Sequence, residues 1–89
     1  MFVWVRIFRT LAAVHYEIVT TKSRDAPEKG EWHEVIFLFE ESEEGVISER
    51  ADRMVFAIMG LEYNPELAAQ RVLPSGSDAS GIEPDDIVI

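Results

Sequence analysis

Apolar residues open the chain in an almost unbroken run, Phe2-Val3-Trp4-Val5-Arg6-Ile7-Phe8, interrupted only by Arg6. Both alternate sets are apolar, Phe2, Trp4 and Phe8 on one side and Val3, Val5 and Ile7 on the other, which predicts a strand covered on both faces. From Ala12 to Thr21 the alternation is cleaner: Val14, Tyr16 and Ile18 share one face, and His15, Glu17, Val19 and Thr21 the other. That pattern predicts a half-buried strand. No Gly, Pro, Asn or Asp lies between Arg9 and Ala12 to support a tight hairpin. Trp4, Phe8, Leu11, His15 and Ile18 also fall at helical spacing, so a helix over part of residues 4–19 is the alternative. The β-branched and aromatic composition of the first residues favours strands.

Lys22 to Gly30 is polar, punctuated by Pro27 and Gly30, and reads as a long mobile loop. Trp32 to Glu40 forms a third strand with Val35, Phe37 and Phe39 on one face and Trp32, Ile36 and Leu38 on the other. Apolar on both faces, it is expected in the middle of the sheet. Ser48 is the expected N-cap of a helix running to Met59, with Ile47, Ala51, Met54, Val55 and Ile58 on its inner face and Gly60 as its stop. Asn64-Pro65-Glu66 signals a second, short helix ending near Leu73, before Pro74.

The predicted fold is therefore α+β: a small antiparallel sheet of about three strands packed by one main helix and one short helix. Trp4, Phe37, Phe39, Val55 and Ile58 are expected to hold this scaffold. Residues 1–74 make one domain. Residues 75–89 read as a flexible linker followed by a tail, in which Ile87-Val88-Ile89 is either a last edge strand or free. At 89 residues the chain is too short for two cores.

Charge changes the picture. The chain has 17 acidic and 8 basic residues, a formal net charge of −9. The excess is concentrated in residues 28–52, which hold nine acids against Lys29 and Arg50. Such a chain repels nucleic acid and anionic membranes, which are bound through lysine and arginine. Arg6, Arg9, His15 and Glu17 break the apolar N-terminal segment, so it has the pattern of neither a secretory signal nor a membrane span. The absence of cysteine excludes disulfides and thiolate chemistry and fits a reducing, cytoplasmic location.

Motifs for catalysis are absent. The five glycines are too scattered for a phosphate-cradling loop. Two histidines, His15 and His33, do not supply a zinc helix, and the acids do not follow a calcium-loop pattern. His33 and Glu34 are neighbours in a strand and point to opposite faces. The chain is read as non-enzymatic, with no cofactor and no metal.

What remains is the cluster Glu40-Glu41-Ser42-Glu43-Glu44, with Glu49 and Asp52 following. One reading is a solvated turn that keeps the protein in solution and discourages edge pairing. The other makes Glu40, Glu41, Glu43, Glu44, Glu49 and Asp52 a surface for a basic partner, steered by charge. On that expectation the protein is an inhibitor that blocks a nucleic-acid-binding surface, of the phage anti-defence or DNA-mimic type. The competing expectation is a homo-oligomeric assembly module, a homodimer for instance, built on the apolar strands.

Overall fold

The computed structural model describes residues 1–74. They form β1 (Phe2–Arg9), β2 (Ala13–Thr21), β3 (Glu34–Glu40), α1 (Ile47–Ile58), α2 (Pro65–Gln70) and β4 (Val72–Pro74). The sheet is four-stranded and antiparallel in the order β3-β1-β2-β4. The expected α+β class holds, as do the three strands and two helices; the linker and tail expected over 75–89 lie outside the described residues. No helix among the described residues is long and apolar enough to cross a membrane.

Residues 4–9 and 13–19 are strand, none of 4–19 is helix, and the hairpin between β1 and β2 closes without glycine. Neither Leu11 nor Ala12 has a positive φ. Thr10 replaces the usual turn chemistry: its hydroxyl accepts from Ala13 N at 3.0 Å and Ala12 N at 3.3 Å, while its own N–H donates to Ala13 O at 2.9 Å. A threonine hydroxyl used in this way imitates a backbone turn. Leu11, at the tip, is fully exposed.

Strand β1 is central, so Val3, Val5 and Ile7 are completely buried beneath the helices. Val14, Tyr16, Leu38 and Phe39 join them from the flanking strands and meet Ile47, Ala51, Val55 and Phe56 of α1, Ala68 of α2 and Leu73 of β4. The inner face of α1 is rotated from the expected stripe. Phe56 is buried, whereas Ile58 is about half exposed and does not hold the scaffold.

Three further expectations are corrected. Strand β3 lies at the edge, not in the centre, and a register shift opposite Val3/Trp4 bends it near Leu38. Its second apolar face is explained by the open side of the sheet, described below. Helix α1 has no Ser48 cap: a 3-10 turn over Glu44–Val46 feeds straight into it, so the helix begins at Ile47 and Ser48 is exposed. Helix α2 stops at Gln70, because Arg71 takes a left-handed conformation (φ 55°) that turns the chain directly into β4. Leu73 therefore plugs the core from a strand.

The remaining end signals behave as expected. Gly60 (φ 74°) ends α1, with Gly60 N bonded to Ala57 O and Leu61 N to Phe56 O. The Asn64 side chain caps α2 by accepting from Glu66 N at 2.9 Å and Leu67 N at 3.3 Å.

Candidate partner-binding surface

The topology makes the open face. Strands β2 and β3 flank β1 and both run antiparallel to it, so residues 22–33 must cross over β1 to join them. They cross on the side away from the helices, and the loop expected to be mobile is fastened there. Arg6 anchors it by donating from Nη1 to Glu28 O at 2.9 Å, beneath the Trp32 ring. The same guanidinium holds both Glu17 oxygens from Nη2, at 2.5 and 3.0 Å. The His33 ring stacks on Phe8 with centroids 4.4 Å apart, and the His33 backbone N–H donates to Ile7 O at 2.8 Å.

The loop covers one half of that face. Beyond it, Phe2, Trp4 and Phe37 cluster, the Phe37 ring meeting Trp4 edge-on at 5.3 Å. Trp4 is buried, with Nε1 donating to Thr21 Oγ1 at 2.8 Å. Phe37 is 48% exposed and so is not the scaffold residue expected from its pattern. A groove of about 340 Å³ runs beside it, lined by Phe2, Trp4, Arg24, Phe37 and Glu40.

The six carboxylates expected to act together fall into two groups. Asp52 is buried: Tyr16 Oη donates to its Oδ1 at 2.8 Å and Arg71 Nε at 3.2 Å. It joins β2, α1 and the α2–β4 junction and presents no charge for a partner. Burial, and then the hydrogen bond to Asp52, push the Tyr16 hydroxyl well above the ordinary tyrosine range. Glu41 folds inward, accepting from Ser42 N at 3.1 Å, Glu43 N at 3.2 Å and the Arg50 guanidinium. The backbone bond from Glu43, followed by that from Ser42 and the charge of Arg50, holds its carboxyl below the usual range. Arg50 also lies over the Phe39 ring at 4.7 Å. Glu49 pairs with Arg53 at 2.9 Å, one helical turn on.

Glu40, Glu43 and Glu44 form the second group. All three are exposed, and no arginine or lysine of the described residues pairs with them. Five arginines (6, 9, 50, 53 and 71) are each committed to a carboxylate elsewhere. The free charge thus sits at the C-terminal end of edge strand β3, beside the aromatic groove.

Sequence reasoning missed Tyr16 and Arg71 as partners of Asp52, and Arg71 gave no signal, since its role depends on its left-handed backbone. The Glu49–Arg53 pair was readable from its four-residue spacing. A second groove, about 560 Å³, is lined by Arg6, Phe8, His15, Gly30, Glu31 and Trp32, but its arginine is committed to Glu17 and no nucleophile faces it. Among the described residues no group of three or more His, Cys, Asp or Glu could hold a metal ion. No protein-family model matches the chain, and no characterised protein or solved structure does.

Proposed function

We propose that this is a non-enzymatic protein-binding domain of the cytoplasm that blocks a basic, nucleic-acid-binding surface of a partner. The observation that carries this reading is the selective lack of counter-ions: Glu41, Glu49 and Asp52 each have an arginine, whereas Glu40, Glu43 and Glu44 have none. Like charges held together at a turn cost stability, and a partner's lysines and arginines would relieve that cost. The reading rests on three of the six carboxylates, Glu40, Glu43 and Glu44, because the other three already have an arginine.

The test is the triple reversal Glu40→Lys, Glu43→Lys, Glu44→Lys. None of these side chains makes a bond within the domain, so the circular dichroism spectrum and melting temperature should be unchanged or the latter slightly raised. Affinity capture from nuclease-treated lysate of the source cell, at low and high salt, should recover a nucleic-acid-binding protein that elutes as salt rises and is lost with the reversal. Retention of the same partner by the reversed variant refutes the reading. Recovery of only the chain itself, indifferent to salt, would favour the assembly module, to which exposed Phe37 on an edge strand would then belong.

A further inference from the structure

We propose that β3 receives an extended segment of the partner as a fifth strand, and that this segment is apolar with lysine or arginine at its N-terminal end. The proposal rests on the protein-binding reading above and gives it a mode.

Four features converge on β3. It is an edge strand seven residues long, whereas β4 at the opposite edge has three. Edges of this kind present a row of backbone donors and acceptors that pair with another chain, and proteins usually blunt them with charged side chains, proline, bulges or covering elements. β3 has neither Lys nor Pro, and its register shift lies near Leu38, leaving the stretch from Glu34 to Phe37 regular. Phe37 stands half exposed on the open face and, with Phe2 and Trp4, makes the aromatic wall of the 340 Å³ groove that Arg24 and Glu40 complete, a wall against which an apolar side chain of the neighbouring strand can pack.

Charge then selects the guest. Glu34, at the start of β3, is satisfied by Arg9 at 2.6 Å, which holds its carboxyl below the usual range. The free carboxylates Glu40, Glu43 and Glu44 are all at the other end. In an antiparallel addition, the more stable pairing per residue, the N-terminal end of the guest lies beside Glu40. A second copy of this chain fits less well: two β3 strands paired antiparallel about Phe37 would set Glu40 of each opposite Glu34 of the other, whose arginine is already committed, so the free carboxylates would gain no cation.

Three synthetic peptides test the proposal by fluorescence anisotropy and by amide hydrogen exchange of the protein. The first carries two lysines followed by alternating threonine and valine with one phenylalanine. The second has the lysines moved to its C-terminus, and the third keeps the first order but has proline in place of two central residues. The expected result is binding of the first peptide about 10-fold or more tighter than the others, about 1.4 kcal/mol per factor of ten. The amides of residues 34–40 should gain protection, and Phe37→Ser should weaken binding while the domain stays folded. Equal binding of the proline peptide, or protection absent from β3, overturns strand addition. If that equal binding is still lost with rising salt and with the triple reversal, the acidic surface stands and only the mode falls. Binding by none of the peptides overturns the proposal, and the capture experiment then decides the broader reading alone.

Discussion

Replacing Asp52 by alanine should damage the fold, not the binding surface. The substitution removes the acceptor of the Tyr16 hydroxyl, a group that lies in the core with no other bond. An orphaned buried hydroxyl costs about 1–3 kcal/mol. Arg71 loses its carboxylate at 3.2 Å as well, but its side chain is 35% exposed, so solvent screening limits that loss to under about 1 kcal/mol. The expected total is about 1–4 kcal/mol, at its upper end a large share of the 5–15 kcal/mol typical of such domains. Urea denaturation followed by the fluorescence of Trp4 and Trp32 measures it. Asp52→Asn keeps an acceptor and should lose about 1 kcal/mol. In the Tyr16→Phe background no hydroxyl is orphaned, so Asp52→Ala should cost less there by about 1–2 kcal/mol. A single mutant within 0.5 kcal/mol of the parent, with no coupling to Tyr16→Phe, would refute the buried network.

Other outcomes follow from the same contacts. Because the folded Tyr16 pKa lies above its unfolded value near 10, its contribution is fully present below pH 10 and is lost as pH rises through the folded pKa. Stability should fall by up to about 1.4 kcal/mol per pH unit above pH 10, and the Tyr16→Phe variant, measured alongside, should lose less. Asn64→Ala removes the cap of α2 and should cost about 1 kcal/mol in the same urea assay. Thr10→Val deletes the hydroxyl that closes the hairpin; a loss of about 1 kcal/mol is expected, and Thr10→Ser should restore most of it.

The strands and helices were legible because their signals are local. Val3, Val5 and Ile7 need only the period of two, and Asn64-Pro65-Glu66 needs only capping chemistry. Strand order was not local. An apolar face covered by a neighbouring element and one left exposed draw on the same residue types, so Phe37, on the open face, and Ile36, against the core, together read as central in a strand that proved to be an edge. The three residues of β4 are too few for any period, and Leu73 entered the expected helix for that reason. The hairpin at Thr10 failed the glycine test yet closed through a hydroxyl, a weaker signal of the same kind. At the acidic corner, sequence gave the positions of the charges but not their partners. Asp52 meets Tyr16 across 36 residues and Arg71 across 19, and only the fold brings those three together.

The pairing of β4 with the start of β2 also bears on how the chain folds. Ala13, Val14 and His15 must find Pro74, Leu73 and Val72 across a separation of about 60 residues, the longest closure in the sheet. The β1–β2 hairpin closes across two residues and can form before it. A transition state in which β1, β2 and α1 have met while β4 is still free is therefore favoured by loop entropy. Mutations at Leu73 should then leave the folding rate nearly untouched and speed unfolding, so that this last strand governs how long the native state survives more than how quickly it is reached.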